Sequence, residues 1–199
     1  MKKINNKVLA IGLIVLVGAF VLSRVFRSPK LESNVRKELV NLEVPRITEV
    51  RITSPDSSVQ LIKENGKWSV VKDQNKYEAD SAVVQRTLQT IQLIEATRMI
   101  SRKKDKWVGF KVDSTGTNVS VYYDGDKEAD FQVGNIGFNE SAGGNGQFGQ
   151  GMSPYTYVRL TGEDEVYIVD GFLGGMLPTN LNEWRKKPAP IPTDTTRIN

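Results

Sequence analysis

The chain has 199 residues and contains neither cysteine nor histidine, which excludes disulfides, thiolate chemistry, histidine general bases and the commonest zinc ligands. Its net charge is +4, but residues 1–30 hold six of the 27 basic side chains and no acidic one, so the rest of the chain carries a net charge of −2. A near-neutral chain with interspersed signs lacks the basic surface of a nucleic-acid-binding protein. We therefore expect no nucleic-acid partner.

An uncharged apolar run, VLAIGLIVLVGAFVL, occupies residues 8–22. Continued by four residues, with the Arg24 guanidinium reaching toward the headgroups, a helix here would be about 28 Å long, just enough for a hydrocarbon core of about 30 Å. A cleaved signal peptide is the alternative, but a cut near Ala19 would leave an apolar mature terminus. The sequence therefore predicts a single-pass anchor over residues 1–27 that contacts the bilayer through residues 8–26.

The charges that flank this run do not fix its orientation. The flanking basic residues are Lys2, Lys3 and Lys7 on one side and Arg24 and Arg27 on the other. The positive-inside rule compares the two sides, and here both are basic. We expect a short tail inside the bacterial inner membrane and a folded domain in the periplasm, an orientation that the family resemblance given below favours.

Composition divides the remaining chain into three parts. Residues 28–45 are polar and predict a partly helical stalk that ends at Pro45. The folded domain is predicted over residues 46–187. Residues 188–199 contain three prolines, which argues against a helix and indicates an extended or disordered tail.

Three segments show the alternation of apolar and polar residues that is typical of β-hairpins. The first includes SVQLIKENGKWSVV, in which Asn65 and Gly66 are a type I′ turn signal. The second, NVSVYYDGDKEADFQV, is predicted to turn at Asp124 and Gly125. The third is TYVRLTGEDEVYIVDG, in which we expect Val158 and Leu160 to lie opposite Val166 and Ile168.

One amphipathic helix is predicted between the first two hairpins, in DSAVVQRTLQTIQLIEA. Asp80 is suited to cap it, and a second, short helix is predicted over residues 181–185. The apolar stripe that should pack on the inner face of the sheet consists of Val84, Leu88, Ile91 and Ile94. The predicted fold class is α+β: antiparallel β-hairpins form a sheet with one main packing helix, preceded by a single N-terminal transmembrane helix.

Two motifs that suggest ligands are better explained as loops. Residues 144–149 read G-x-G-x-x-G, but a dinucleotide-binding loop must open a helix, and here a strand follows. The acids of DGDKEAD, residues 124–130, lack the spacing of a calcium loop and fall in a predicted hairpin turn. We expect no nucleotide, no metal and no other cofactor.

Aromatic residues beside the glycine-rich loop are the candidates for contact with a partner protein. They are Phe148, Tyr155 and Tyr157. Ordinary packing on a strand face is the alternative for all three. The basic stretches at residues 102–106 and 185–187 are expected to be solvated surface.

The order of several short stretches resembles an uncharacterised bacterial family, domain of unknown function 4340. The stretches are LEVPRI from residue 42, SPDSSVQLIKENGKWSV, YEAD from residue 77, VGFKVD from residue 108 and TYVRLTGEDEVYIVDG. The chain departs from the family pattern at Glu43 and Phe110 and in its longer glycine-rich insertion. The resemblance implies an anchored cell-envelope domain, in some relatives beside components of ABC exporters or gliding machinery, and implies no catalytic residue.

The sequence therefore favours a non-enzymatic, membrane-anchored domain. We expect an accessory or interaction subunit of a membrane or envelope complex, whose partners are other membrane or envelope proteins. An envelope hydrolase or a glycan-binding module is the alternative. A convergent set of acids in a pocket would support the alternative, whereas an exposed apolar surface would support the interaction subunit.

Overall fold

The computed structural model describes residues 36–140 and 152–186. Within these residues the chain is mostly antiparallel β-sheet with few helices. The strands are β1 (Glu38–Asn41), β2 (Glu49–Thr53), β3 (Ser58–Glu64), β4 (Lys67–Lys72), β5 (Asn75–Glu78), β6 (Leu93–Glu95), β7 (Arg98–Ser101), β8 (Thr117–Tyr123), β9 (Asp126–Glu140), β10 (Met152–Leu160) and β11 (Val166–Asp170). The helices are α1 (Ser81–Gln92), α2 (Trp107–Phe110) and α3 (Leu181–Trp184), with 3-10 turns at Val44–Arg46, Lys104–Lys106 and Gly174–Met176.

Nine strands form one sheet in the order β5-β4-β3-β2-β8-β9-β10-β11-β7. Every neighbouring pair in this sheet is antiparallel. Alternate residues of a strand point to opposite faces, and one face here is apolar. The residues at its centre are at most 1% exposed and are Val50, Ile52, Val59, Leu61, Val70, Val119, Val121 and Phe131.

The first two predicted hairpin turns are confirmed. Asn65 and Gly66 have φ values of 49° and 77°, and Asp124 and Gly125 have values of 49° and 96°. Positive φ at both central residues is what a type I′ turn requires, and asparagine, aspartate and glycine tolerate it best. The acids of DGDKEAD therefore surround a hairpin turn between β8 and β9.

The third hairpin forms, but its register differs from the prediction. Val158 lies opposite Tyr167, and Tyr157 lies opposite Ile168. The four residues from Val166 to Val169 are all buried, so both faces of β11 are covered. Because apolar residues occupy both faces, alternation could not distinguish the true register from one shifted by a residue.

The main helix begins as predicted. The Asp80 carboxylate accepts hydrogen bonds from the backbone amides of Ala82 and Val83 at 2.9 and 3.4 Å, which satisfies two donors of the first turn. The helix ends at Gln92, so the buried Ile94 belongs to β6 rather than to the helix. Close neighbours of α1 are β1, β6, α3 and the 3-10 turns at Val44–Arg46 and Gly174–Met176, all of which lie outside the nine-stranded sheet.

The described end of the predicted stalk is extended and packed. β1 lies within residues 28–45 and pairs antiparallel with β6, and the compact unit that contains the sheet begins at Arg36. Three side chains of this stretch, Leu39, Val40 and Leu42, are buried. Within the predicted partly helical stalk, residues 38–41 therefore form a strand, because β6 supplies a strand partner from more than fifty residues away.

Three predicted features lie outside the described residues: the anchor over residues 1–27, the glycine-rich motif at residues 144–149 and the tail at residues 188–199. In the ranges 36–140 and 152–186 no helix is long and apolar enough to cross a membrane.

Candidate interaction surface

Strands β9 and β10 extend together beyond the rest of the sheet. The pairing of β8 with β9 ends at Val133, and the pairing of β11 with β10 ends at Tyr155. Beyond Val133, β9 therefore pairs only with β10 among the described strands. Residues 134–140 lie beside residues 152–157, with register partners that run from Ile136–Thr156 to Glu140–Met152. We call this two-stranded extension the arm.

One face of the arm carries exposed apolar side chains. Phe138 lies opposite Pro154, and Ile136 lies opposite Thr156. Residues paired in this way share a face, as do alternate residues along one strand, so Met152 is on the same face. The exposed fractions are 37% for Ile136 and 59% for both Phe138 and Met152.

A shallow apolar cavity of about 290 Å³ contributes three more exposed side chains. They are Leu93 after α1, Phe172 after β11 and Met176 in the last 3-10 turn, and they are 44–53% exposed. Seven large apolar side chains are exposed among the described residues, and six of them belong either to the arm or to this cavity. We call these six the apolar surface: Leu93, Ile136, Phe138, Met152, Phe172 and Met176.

Thr156 joins the two parts of this surface. Its buried hydroxyl donates to the carbonyl oxygen of Gly171 at 2.8 Å and accepts from the amide of Leu173 at 3.1 Å. The amide of Gly171 also donates to the carbonyl oxygen of Pro154 at 2.9 Å. These bonds attach the segment around Phe172 to the strand that carries the arm.

The opposite face of the arm contains two of the three predicted contact residues. The rings of Tyr155 and Tyr157 meet edge to face at 5.3 Å, and Tyr157 packs on Phe110 at 4.6 Å. Both tyrosines are half-buried. A Cβ atom on Gly137 would lie 2.2 Å from the Tyr155 ring, so glycine is what allows this ring to rest on β9. The third predicted residue, Phe148, lies outside the described residues.

The tyrosine pair has a marked electrostatic consequence. Burial, together with the 3.2 Å hydrogen bond between the two hydroxyls, raises the pKa of Tyr157 to about 12. The phenol therefore stays neutral well above the usual range. This arrangement packs the two rings together on the arm and leaves both half-exposed, so the contact of Tyr155 and Tyr157 with a partner protein stays a prediction.

Arg159 is a buried cation that the sequence did not single out. It is 7% exposed, and its guanidinium donates to the carbonyl oxygens of Val112, Leu160 and Glu163 at 2.8–3.2 Å. The group also lies 4.0 Å above the Trp107 ring. Burial lowers the pKa of Arg159, and its contacts give it the role of fixing α2 and the β10–β11 turn.

The basic stretch at residues 102–106 faces the acidic turn at residues 163–165. Arg102 and Lys104 lie 3.3 and 3.2 Å from Glu165 and Asp164, respectively. Three of these side chains are exposed and Glu165 is half-buried. Surface pairs of this kind contribute at most about 1 kcal/mol. The two charge clusters are thus solvated surface that is partly neutralised within the chain.

A polar cavity of about 410 Å³ lies between β1 and the start of β9. Two of its acids have partners: Glu163 accepts from Arg36 at 2.8 Å, and Asp130 accepts from Lys127, Asn118 and Thr161 at 2.6–3.1 Å. Burial acts to raise the pKa of Asp130, but these hydrogen bonds outweigh it and hold the pKa below its usual value. No group of three acidic side chains suited to a metal ion occurs in the described part of the chain.

The apolar residues of the arm were missed at the sequence level. The signal available was a second alternation in β9, which resumes one residue out of phase after Val133 and places Ile136 and Phe138 between Asn135, Gly137 and Asn139. Such a pattern predicts one apolar face, but it does not show that the face lacks a cover. The signal for Phe172 and Met176 is weaker still, because no periodic element contains them.

Comparison with known proteins identifies a family for the chain but no individual curated protein or solved structure. The family model described as Domain of unknown function (DUF4340) matches residues 68–198, about two thirds of the chain. The range includes three of the stretches that carry the resemblance, and LEVPRI precedes it. No curated protein and no solved structure matches the chain. The chain therefore belongs to the DUF4340 family of domains of unknown function.

Proposed function

We propose that this protein is a single-pass, membrane-anchored extracytoplasmic domain that acts as a non-enzymatic accessory or interaction subunit of a bacterial membrane or envelope complex. The observation that carries the proposal is the apolar surface. Six large apolar side chains that are 37–59% exposed occupy the arm and the cavity beside it. Exposed apolar patches of this kind mark sites of contact with other proteins.

The energetics of such a contact are favourable. Burying a large apolar side chain yields about 1.5–3 kcal/mol when it is fully exposed beforehand, and roughly half of that remains available here. Phe138 and Phe172 are the two aromatic residues of the apolar surface, and they serve as the anchors of the contact, since a few aromatic residues commonly dominate interface energies. Ile136 and Met152 extend the patch along the arm.

Membrane attachment would make a contact of modest strength sufficient. The apolar run at residues 8–22 supports anchoring in a membrane, and the family resemblance favours the inner membrane with the domain in the periplasm. Tethering raises the effective concentration of two partners in one bilayer. An ABC exporter or a gliding-type assembly is the proposed class of partner complex, in keeping with the family setting.

The test is quantitative co-purification of the full-length chain from detergent-solubilised membranes. The double variant Phe138→Ser, Phe172→Ser should reduce partner recovery at least fivefold while shifting the melting temperature by less than about 3 °C. Val108→Ser is the matched control, because Val108 is 65% exposed and lies on α2 outside the apolar surface. Equal recovery for wild type and double variant would refute the proposal, as would an equal loss in the control.

The polar cavity favours one second candidate, a glycan-binding module. Carboxylates and hydrogen-bonding groups such as Asp130, Glu163 and Thr161 are suited to sugar hydroxyls, although Asp130 and Glu163 are already engaged within the chain. Calorimetric titration with soluble peptidoglycan fragments tests this candidate. The glycan module would be favoured over the interaction subunit if the titration gives saturable heat and Glu163→Gln abolishes it. The Phe138→Ser, Phe172→Ser double variant should then still bind the fragments.

A further inference from the structure

The arm exposes the edge of a strand as well as an apolar face. Beyond Val133, β10 is the one described strand that pairs with β9. The other side of β9 therefore offers backbone groups from Ile136 to Asn139 that have no strand partner among the described residues. A free edge of this kind is a template for pairing with a further strand.

The other edges of the sheet are protected. β5 and β7 have four residues each, and both carry charge. The Glu78 carboxylate of β5 pairs with Lys186, and its carbonyl oxygen accepts from the Lys186 amide. On the arm, the β10 side contains Pro154, whose carbonyl oxygen already accepts from Gly171. Short length, charge and proline are the usual devices that block edge pairing.

From Ile136 to Asn139 the free β9 edge has none of these devices. It is bounded by Glu140 at one end, and at the other by a register shift and by Asn135, whose side-chain amide donates to the carbonyl oxygen of Gly109 at 3.2 Å. Residues 134–139 read Gly-Asn-Ile-Gly-Phe-Asn and contain no charge and no proline. Two copies of this stretch would therefore meet without repulsion between like charges. The edge is exposed, apolar on one face and uncharged, which is the combination that favours association through strands.

The same stretch is self-complementary about its central glycine. An antiparallel pair of two copies centred on Gly137 places Ile136 opposite Phe138 of the second copy, and Asn135 opposite Asn139. Both apolar pairs fall on the same face, because residues directly opposite each other share a face. A two-fold axis through Gly137 satisfies both chains at once, as the contact of a symmetric dimer must.

We propose that a second copy of this chain pairs along the outer edge of β9, antiparallel and centred on Gly137, so that the two sheets continue into each other. The pairing uses the strand edge rather than the apolar face, so it is independent of the proposed partner complex. It joins two apolar rows into one surface that runs across both copies.

Register-specific cross-linking tests the proposal, and the absence of cysteine from the chain leaves no background thiol. Two differently tagged full-length chains are co-expressed, one with Asn135→Cys and one with Asn139→Cys, and their membranes are oxidised. Opposed residues of an antiparallel pair have Cα atoms about 4.5–5.5 Å apart, which suits a disulfide. In the same register, position 135 of one copy and position 135 of the other are offset by four residues along the strands, about 13 Å. That distance is too long for a disulfide.

We expect the mixed-tag disulfide dimer to exceed the dimer of either single variant at least tenfold. Adding Phe138→Lys to both chains should reduce it at least fivefold, because a lysine on the edge opposes pairing, whereas Val108→Lys should leave it unchanged. Thermal melts establish that the lysine variants are folded, and the register comparison does not depend on them. Equal cross-linking in all combinations would overturn the proposal, and so would the absence of any cross-linked dimer. In the second case the edge would be left to a strand of another protein.

Discussion

Replacing Thr156 by valine would remove one hydroxyl from the strand that joins the two parts of the apolar surface. Thr156 is 0% exposed, and valine fills nearly the same volume, so the change is chiefly the loss of two hydrogen bonds. The Leu173 amide lies in the interior and would lose its acceptor, which costs about 1–3 kcal/mol. The Gly171 carbonyl is part-buried and can be rehydrated, so it adds less. We expect the free energy of unfolding to fall by about 2–3 kcal/mol in total.

Urea denaturation followed by tryptophan fluorescence measures this loss. With a slope of about 1–3 kcal/mol per molar urea, the midpoint should fall by roughly 1–2 M. Thr156→Ser is the matched control, since it keeps the hydroxyl and loses a methyl group, and should cost about 1 kcal/mol. A valine variant that loses less than about 0.5 kcal/mol, or a serine variant that loses as much as valine, would refute the role assigned to these two bonds.

Two further predictions concern the opposite face of the arm and the main helix. Unfolded tyrosine ionises near about pH 10, while burial and Tyr155 raise the pKa of folded Tyr157 to about 12. The contribution of Tyr157 to stability is therefore complete below pH 10 and is lost as pH rises to 12. In urea titrations between pH 8 and 12, Tyr157→Phe should flatten this decline in the free energy of unfolding. An unchanged pH profile in the variant would contradict the prediction. Asp80→Ala should cost about 1 kcal/mol through loss of the helix cap, whereas Asp80→Ser should recover most of it; equal midpoints for the two variants would exclude capping as the cause.

Local chemistry explains the elements that were predicted well. The turns at Asn65-Gly66 and Asp124-Gly125 follow from the residues that best tolerate positive φ. The start of α1 at Asp80 follows from a carboxylate that satisfies free amides in its own first turn. Each depends on neighbours within a few positions, so the sequence contains the whole cause.

Partners distant in the chain explain the elements that the sequence predicted wrongly or did not predict. β1 is a strand because β6 pairs with it, and the polar composition around it suggested a stalk instead. The register of β11 was predicted one residue out because its four residues from Val166 to Val169 are buried on both faces. Arg159 is polar in sequence yet buried, since Trp107 and three carbonyl oxygens surround it.

The candidate surface shows the same division. The sequence by itself determined that the domain is built of antiparallel hairpins with one capped helix, because alternation, turn residues and caps act locally. Only the tertiary structure decided that Tyr155 packs on Tyr157 and Tyr157 on Phe110, while Phe138 on the other face of the same arm stays exposed. A strand presents apolar residues in the same pattern whether or not another element covers them. Whether such a cover is present depends on which elements distant in the chain pack over that face, so exposure is a property of the assembled fold.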